Sequence, residues 1–197
     1  MTAPVEISNS HADASQDKST LFTGWATTGT IELKQWSYHP RPLSKDDIEV
    51  EITYCGICGS DVRAITSGRE SELGPRIAGH EMVGKVVATG ADTTHQIGDI
   101  VGVSCLVTSC GDCRDCDDGF EQLCPGRTFT FSGKYNDGRG GLTYGGFADR
   151  IRVVGKHAFK LPEGLQGPEA APLFCAGITM YTPLKDFGAG PGKKVGI

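Results

Sequence analysis

The sequence predicts a mostly β fold with short helices: a barrel-like domain, a cysteine-rich lobe and a connecting helix near the end. Three observations support this prediction. The chain has 28 glycines in 197 residues, which favours an architecture rich in β-turns. Short stretches that alternate apolar and polar residues recur along the chain and predict half-buried strands. Four of the eight cysteines lie within residues 110–124, where little apolar periodicity is present.

The first part of the chain contains a tail, a strand and a short helix. Residues 1–20 are rich in Ser, Thr, Ala and Asp and lack a basic start or an apolar segment. We therefore expect a disordered tail and not a signal peptide. Residues 48–55, IEVEITYC, alternate strictly and predict a strand. The stretch SDVRAITSG predicts one or two helical turns with Ser60 or Asp61 as the N-cap.

The remainder of the chain combines strands with the lobe and ends in a helix. Further strands are predicted at MVGKVVATG, DIVGV, GGFADRIRVVG and HAFKLPEGL. The stretch PEAAPLFCAGITMYTPL predicts a buried helix with proline in its first turns. KDFGAGPGKK predicts a plain turn, because it lacks the G-x4-G-K-S/T spacing of a phosphate-binding loop and precedes a strand instead of following one. VGI, residues 195–197, begins an apolar segment.

Composition excludes several classes of partner. The net charge is −5, from 19 basic and 24 acidic residues, which argues against binding to a nucleic acid backbone. No apolar run in the sequence reaches the roughly 18 to 20 residues of a membrane-spanning helix. We expect neither nucleic acid nor a membrane as partner. Without an export signal the expected location is cytoplasmic, where cysteines are more often metal ligands or free thiols than disulfides.

Residues 105–126 form a region that we call the four-cysteine lobe. Cys110, Cys113, Cys116 and Cys124 follow the pattern C-x2-C-x2-C-x7-C. Four thiolates at this spacing can close a tetrahedral site, and zinc with four sulfur ligands is a structural ion. Aspartates between the cysteines prevent an apolar centre, so a bound ion would stabilise the loop. Free thiols, two disulfides and an iron–sulfur cluster are the alternatives, although the cluster usually has its fourth cysteine closer.

A second set of candidate ligands is spread along the chain. CGICGSD contains Cys55 and Cys58, GHE contains His80 and Glu81, and APLFCAGIT contains Cys175. Taken separately, each has an ordinary explanation. The C-x2-C pair could be a redox pair, but it lacks the strand-to-helix surroundings of a thioredoxin. The histidine could be a buried polar residue, and the last cysteine a small core residue.

Together, these motifs resemble the zinc-dependent medium-chain alcohol dehydrogenases. GGFADRIRV, LPEGL and APLFCAGITMYTPL are most similar to the cinnamyl alcohol dehydrogenase branch. The resemblance runs from about residue 21 to residue 197. It implies a GroES-like β-barrel catalytic domain over residues 21–166. Residues 167–197 would then be a connecting helix and the start of a truncated dinucleotide-binding domain, cut off at the first strand of a Rossmann fold.

The resemblance also assigns roles to individual residues. It implies three ligands of a catalytic zinc and an adjacent carboxylate that can ligate, at Cys58, His80, Cys175 and Glu81. It implies four ligands of a structural zinc at Cys110, Cys113, Cys116 and Cys124. Ser60 matches the hydroxyl that starts the proton relay, and Asp61 matches the carboxylate that orients the ligand histidine. Cys55 has no ligand role in the pattern and is expected to be a packed thiol.

The implied function is the interconversion of primary alcohols and aldehydes, aromatic or medium-chain, with NADP(H) and two Zn²⁺ ions per chain. The small-molecule alcohol or aldehyde is the expected partner, and the full-length parent is expected to be a homodimer. In this interpretation the chain is an N-terminal fragment. The alternatives are a catalytically incompetent zinc-binding fragment and a zinc dehydrogenase acting on polyols or sugars, against which the FCAGIT motif weighs.

Some residues depart from the family pattern or stay open. Many relatives have a histidine where Arg63 stands, and an arginine cannot shuttle a proton at ordinary pH. The relay is therefore expected to end in water or another group. Phe129, Phe131 and Tyr135 lie where the family lines its cleft, which would suit an aromatic or long-chain aldehyde, but core packing or a plain loop explains them equally well. Cys105 is expected in the core of a strand.

Overall fold

Two antiparallel sheets and a two-stranded hairpin form the fold. The computed structural model describes residues 20–67, 74–131 and 133–196. Within these ranges the strands, in chain order, are β1 (Phe22–Thr27), β2 (Lys34–Tyr38), β3 (Asp47–Cys55), β4 (Arg76–Ile77), β5 (Met82–Thr89), β6 (Ile100–Val103), β7 (Leu106–Thr108), β8 (Thr128–Phe129), β9 (Arg150–Val154) and β10 (Ala158–Lys160). The helices are α1 (Gly59–Thr66), α2 (Arg114–Asp117) and α3 (Ala176–Asp186), with 3-10 turns at Glu121–Leu123, Gly155–His157 and Pro168–Phe174. The tail expected at residues 1–20 lies outside the described residues apart from Thr20.

The sheets curl towards each other. The larger sheet has the order β10-β6-β5-β3-β9, the smaller has the order β2-β1-β4, and β7 pairs with β8. In the larger sheet Ile48 of β3 lies opposite Thr89 of β5 on one side and Val153 of β9 on the other. A bridge between Gly24 and Ala148 joins β1 to the residues just before β9. The mostly β fold with few short helices is therefore confirmed.

The larger sheet buries its apolar face in the main core. Ile48, Val50, Val86 and Val153 are completely buried in one cluster, and burying such a side chain stabilises a fold by roughly 1.5–3 kcal/mol. This packing fixes the two strands that border the candidate site. β3 ends at Cys55, three residues before the first predicted ligand, and β5 begins directly after the GHE motif.

The polar face of β3 is open in part: Glu51 and Thr53 are exposed, as the alternation predicts, but Glu49 is not. Glu49 is only 5% exposed and accepts hydrogen bonds from Arg150 and Arg152 of β9, each at 2.9 Å. A carboxylate can be buried in this way because paired, hydrogen-bonded cations compensate its lost hydration. Alternation alone cannot distinguish such a pair from a solvated glutamate.

The helix α1 begins earlier than predicted. Its N-cap is Cys58, not Ser60 or Asp61, and both of those residues lie inside the helix. The Cys58 thiol accepts the backbone N–H of Ser60 at 3.5 Å. The Asp61 carboxylate reaches back to the backbone N–H of Cys58 at 2.8 Å, which completes a capping box. The prediction was wrong because cysteine is not among the usual capping residues.

The buried helix predicted near the end of the chain is also wrong. Residues Pro168–Phe174 form a 3-10 helix, Cys175 leaves the helical region at φ −131° and ψ −75°, and α3 starts after it. No described side chain of α3 is buried. Pro172 has no N–H to donate, which favours a break in a continuous helix. Residues 193–196, which include the first two residues of VGI, form no strand.

The two cysteines without a predicted ligand role lie in different surroundings. Cys105 is exposed and lies in a bend between β6 and β7, so the prediction of a core strand position was wrong. Cys55 is the packed thiol that was expected: it contacts the main core, and burial raises its pKa to about 12.

Of the helices described, none is both long enough and apolar enough to traverse a lipid bilayer.

Candidate metal centres

In the described part of the chain, two groups of metal-ligating side chains converge. One consists of Cys58, His80, Glu81 and Cys175, which we call the scattered site, and the other consists of the four cysteines of the lobe. Within each group, one ligand atom from every residue lies within 4.8 Å of all the others. The structure therefore brings together every residue that was predicted as a ligand.

Three separate segments supply the scattered site. Cys58 caps α1 just after β3, His80 and Glu81 occupy the turn before β5, and Cys175 lies at the break before α3. The sulfur atoms of Cys58 and Cys175 are 3.7 Å apart although 117 residues separate them in sequence. Cys175, the cysteine of the APLFCAGIT motif, is therefore half-buried beside a second thiol and does not lie within an apolar core.

Asp61 organises the scattered site from beneath. Its side chain is completely buried and accepts three hydrogen bonds. The donors are the backbone N–H of Cys58 at 2.8 Å, the backbone N–H of Gly79 at 2.8 Å and Nδ1 of His80 at 3.0 Å. Because Nδ1 faces a carboxylate, it holds the proton, and Nε2 keeps the lone pair that a metal ion needs.

Gly79 allows this arrangement. Its φ is +101°, a left-handed conformation that favours glycine, and a Cβ here would lie 2.7 Å from the backbone nitrogen of Phe147. The glycine therefore permits the turn that presents the next residue, His80, to Asp61. Gly56 has a similar role on the other side, because a Cβ there would collide with the carboxylate of Glu81.

The ionisation of the scattered site favours a cation. Ser60, through its backbone N–H and then its hydroxyl, lowers the pKa of Cys58. Burial, and then the neighbouring Cys58, raises the pKa of Cys175 to about 12. The hydrogen bond to Asp61 raises the pKa of His80. Burial opposes ionisation of Asp61, but bonds from His80 and two backbone N–H groups outweigh it and lower its pKa. For both thiols to ionise at this distance, a positive ion is needed between them.

The donor set fits zinc in particular. Two thiols, an imidazole and a carboxylate are ligands that zinc accepts, and three protein ligands plus one exchangeable position is the arrangement of a catalytic site. The residues also provide the second layer that such sites need, since Asp61 fixes the orientation of His80.

Two further residues border the scattered site. Ser60 is exposed, and its backbone N–H donates to the sulfur of Cys58 at 3.5 Å. The ring of Phe131 lies 5.8 Å from the ring of His80, centroid to centroid, at 44°. Of the three aromatic residues left open by the sequence, Phe131 alone has a described ring contact with a candidate ligand. Tyr135 is buried in the core, where its hydroxyl donates to the carbonyl of Arg152 at 2.8 Å.

The four-cysteine lobe has a different construction. The sulfur of Cys110 is 3.3 Å from that of Cys124 and 3.9 Å from that of Cys116. None of the eight cysteines, all within the described ranges, is in a disulfide. Neither α2 nor the 3-10 turn Glu121–Leu123 has a buried residue among those described. Four thiols without an apolar centre fit a structural zinc ion.

The lobe thiols also differ in pKa. The backbone N–H of Cys110 is the main donor that lowers the pKa of Cys124 to about 7. The side chain of Asp112, followed by Cys124, raises the pKa of Cys110 to about 12. As in the scattered site, one thiol ionises readily while its neighbour retains the proton. A cation bound among the four sulfur atoms would release that proton.

Comparison with known proteins now places the chain in a family. A family model for the alcohol dehydrogenase GroES-like domain matches residues 44–163, more than half of the chain. The chain belongs to this family. The alcohol dehydrogenase GroES-like domain and its mostly β architecture were both expected from the motifs, and both are confirmed.

Relatives of this alcohol dehydrogenase GroES-like domain are cinnamyl alcohol dehydrogenases. Cinnamyl alcohol dehydrogenase 1 of Ocimum basilicum is 41% identical over 167 residues, which cover 84% of this chain and 46% of that protein. A solved cinnamyl alcohol dehydrogenase from Sorghum bicolor has a TM-score of 0.83 and 34% identity, and covers 88% of this chain. The structure of a Helicobacter pylori relative complexed with NADP(H) also has a TM-score of 0.83, with 31% identity over 89% of this chain.

The chain spans about half the length of these relatives, 50% of the Sorghum bicolor protein and 51% of the Helicobacter pylori protein. The similarity thus covers nearly all of this alcohol dehydrogenase GroES-like domain but only half of each relative. Similarity over half of each relative does not show that this chain has the activity of the whole relative.

Residue-level reasoning on the sequence missed Ser104, Gly102 and Gly56, which border the scattered site. Gly102 lies in a short strand, Gly56 and Ser104 lie directly after strands, and a serine or glycine at such a position has no distinctive sequence signal. Only the three-dimensional contacts described below for Ser104 and Gly102, and above for Gly56, show what these residues touch.

Proposed function

We propose that the chain is the zinc-binding part of an oxidoreductase that interconverts primary alcohols and aldehydes, aromatic or medium-chain, with NADP(H). The observation behind this proposal is the scattered site: two thiols 3.7 Å apart, a histidine fixed by a buried aspartate, and a neighbouring carboxylate. Membership of the alcohol dehydrogenase GroES-like family and similarity to an NADP(H)-complexed relative support the choice of reaction and cofactor.

In this proposal Cys58, His80 and Cys175 bind the catalytic zinc, and Glu81 is close enough to exchange with water or substrate. A zinc ion in such a site supplies Lewis acidity, which polarises the oxygen of an alcohol or aldehyde. The chain's own contribution is orientation. Asp61 keeps the proton of His80 on Nδ1, and the N–H groups that it accepts fix the backbone at Cys58 and Gly79.

Ser60 is the residue that we propose to move the proton of the substrate hydroxyl. It is exposed at the start of α1, with its hydroxyl beside the sulfur of Cys58. A hydroxyl can accept one proton while donating another, and its exposure allows direct transfer to water. Arg63, one helical turn further along, is not part of the proposed relay, because a guanidinium group offers donors and no acceptor.

The second zinc in this proposal belongs to the four-cysteine lobe and has a structural role. Cys110, Cys113, Cys116 and Cys124 leave no open position, which is the arrangement of a structural ion. The lobe also contacts the barrel through Lys156 and Glu121, whose charged atoms lie 3.9 Å apart. A zinc ion that orders the lobe would therefore also order this contact with Lys156.

The test combines metal counting with turnover. We expect two zinc ions per purified chain, one in Cys175→Ala and one in Cys110→Ala. Two zinc ions in Cys175→Ala would contradict the assignment of the scattered site. Oxidation of NADPH is then followed with cinnamaldehyde and hexenal, and oxidation of sorbitol with NADP⁺ tests the polyol alternative.

Turnover is measured both for the 197-residue chain and for a chimera in which a relative supplies its remaining half. Aldehyde reduction that is present in the chimera and lost in its Cys175→Ala form supports the proposal. Two zinc ions without turnover in either protein would identify the chain as a zinc-binding domain only. Oxidation of sorbitol alone would replace the proposed substrate class.

A further inference from the structure

Cys175 differs from the other members of the scattered site in what holds it. Cys58 and His80 are both hydrogen-bonded to the buried Asp61, but Cys175 comes from a segment over a hundred residues away, at a break between two helices. Its backbone is non-helical, and its side chain makes no capping hydrogen bond to α3. The backbone N–H and carbonyl of Cys175 form hydrogen bonds, at 3.3 Å and 3.0 Å, within residues 172–179. These bonds are local, so a contact from outside the segment is needed to hold the sulfur near that of Cys58.

Ser104 makes that contact. It follows β6 directly, and its hydroxyl donates to the carbonyl oxygen of Phe174, the residue before Cys175, at 2.5 Å. The bond joins positions 70 residues apart in sequence. A hydrogen bond to the peptide group immediately before Cys175 restrains the dihedral angles that set the direction of its side chain.

The side chain of Phe174 is fixed by the same strand. A Cβ at Gly102 of β6 would lie inside the ring of Phe174, so the ring rests directly on the backbone of this glycine. On a second side the ring stacks on Phe159 of β10, with centroids 6.1 Å apart and planes 27° apart. The end of β6 and the residue after it therefore hold Phe174 at two points, its ring at Gly102 and its carbonyl at Ser104.

Ser104 is itself anchored from behind. Thr130 is completely buried, and its hydroxyl donates to the carbonyl oxygen of Ser104 at 2.5 Å. The backbone N–H of Thr130 donates to the carbonyl of Cys105 at 2.8 Å. The next residue, Phe131, contacts the ring of His80. The segment around Thr130 thus contacts both the strand that restrains Cys175 and the histidine of the site.

We propose that Ser104 is a positioning residue for Cys175: its hydroxyl fixes the peptide before the third ligand, so that the sulfur is placed for the zinc ion before that ion binds. The inference rests on the proposed function, in that Cys175 must be a zinc ligand. It adds a residue outside the ligand set and its aspartate. Ser104 is not a catalytic residue, because it acts only through the backbone of Phe174.

The test measures zinc retention and not activity alone. Wild type, Ser104→Ala and Ser104→Thr are loaded with zinc, and transfer of the metal to a chromogenic chelator is followed over time. Two kinetic phases are expected, and Cys175→Ala, which lacks one of them, assigns the phase of the scattered site. Loss of a group that orients a ligand typically weakens metal binding 10- to 100-fold. We expect the assigned phase to be about tenfold faster in Ser104→Ala, with the lobe phase unchanged.

Ser104→Thr keeps the hydroxyl and is expected to restore the wild-type rate. Ser37→Ala is the matched control: it removes a serine hydroxyl that hydrogen-bonds Thr23 at 3.0 Å in the smaller sheet, whose strands contain none of the candidate ligands, and both phases should keep their wild-type rates. If Ser104→Ala does not fold, Ser104→Cys keeps the size with a much weaker donor and is measured in its place.

The outcomes separate the two proposals. A wild-type chain that binds only the lobe zinc would overturn the proposed function. A chain that binds two zinc ions, with the assigned phase unchanged in Ser104→Ala, would overturn the role of Ser104 alone. Equal acceleration of both phases would also overturn it, because Ser104 would then support the whole fold and not the placement of Cys175.

Discussion

The four-cysteine lobe takes all its ligands from residues 110–124, whereas the scattered site takes Cys58 and Cys175 from positions 117 residues apart. The lobe has exposed elements, and its described helical turns bury nothing. The scattered site lies against the sheet core, with His80 only 3% exposed and Asp61 completely buried. The comparison indicates opposite dependences: the lobe needs its ion to have a structure, while the barrel has a structure that can hold an ion.

Both centres nevertheless share one electrostatic feature. In the lobe the pKa of Cys124 is lowered to about 7 while that of Cys110 is raised to about 12. In the scattered site the pKa of Cys58 is lowered while that of Cys175 is raised to about 12. Each centre has one thiol that ionises readily beside one that does not, as expected where two thiols lie close together.

The largest effect is expected from removing a lobe ligand. Cys124→Ala should lose one zinc ion and leave the lobe open to protease, because binding of a structural zinc ion is worth roughly 10–16 kcal/mol in zinc-finger peptides. Limited proteolysis with mass spectrometry should find new cleavage within residues 105–126 and an intact β3 and β5. The exposed Cys105 provides the control, since Cys105→Ala should keep both zinc ions. Simultaneous cleavage throughout the barrel would contradict the proposed independence of the two regions.

Removing the support of the scattered site should lower the stability of the fold itself, even without a bound metal ion. Asp61→Asn keeps the size of the side chain but leaves Nδ1 of His80 and two backbone N–H groups without their carboxylate. A hydrogen bond to a charged group contributes about 1.5–3 kcal/mol, so weakening two of the three that the carboxylate accepts costs about 3–6 kcal/mol. We expect a loss of about that size in the free energy of unfolding of the metal-free chain, measured by urea denaturation.

Asp92→Asn is the matched change on the surface. Asp92 pairs with Lys45 at 2.8 Å, but both side chains are at least half exposed, and such pairs contribute at most about 1 kcal/mol. The metal-free chain is used because the expected loss then reports the fold and not the ion. Equal losses in the two variants would mean that the scattered site is no better supported than the surface.

The same contrast explains what could be predicted from sequence. The lobe ligands are close in sequence, so their spacing alone indicates a metal site. The contact between Cys58 and Cys175 depends on the packing of β3, β6 and the 3-10 turn, and no local pattern contains it. Only similarity of whole motifs to a family pointed to that pairing.

Errors in the sequence-based predictions occurred where long-range packing decides the outcome. Glu49 is buried because β9 brings two arginines to it, and alternation in β3 cannot reveal this. The PEAAPLFCAGITMYTPL stretch, residues 168–184, was expected to be a buried helix, yet Ile178 and Tyr181 of α3 are more than half exposed. Propensity shows that an element forms, but the neighbour that covers it is encoded elsewhere in the chain.

The smallest effect is expected at the junction between the two regions, where His157 lies. It is 7% exposed, and its Nε2 lies 3.4 Å from the hydroxyl of Ser109, next to the first lobe cysteine. Burial, and then the charge of Lys156, lowers its pKa to about 4, while Glu121 opposes the shift. In the unfolded chain a histidine titrates near pH 6.5. Between about pH 6.5 and about pH 4 the unfolded chain therefore binds the extra proton, and stability falls as the pH falls through this window.

His157→Gln removes that titration and should flatten the dependence. Denaturation midpoints of the wild type and the variant are compared from about pH 7 to about pH 4, since every other titrating group is common to both. The wild type should lose up to about 3 kcal/mol more than the variant over this range. Parallel curves would show that His157 reaches water in the folded chain. The lobe would then be only loosely attached to the barrel, and the contrast between the two regions would extend to their junction.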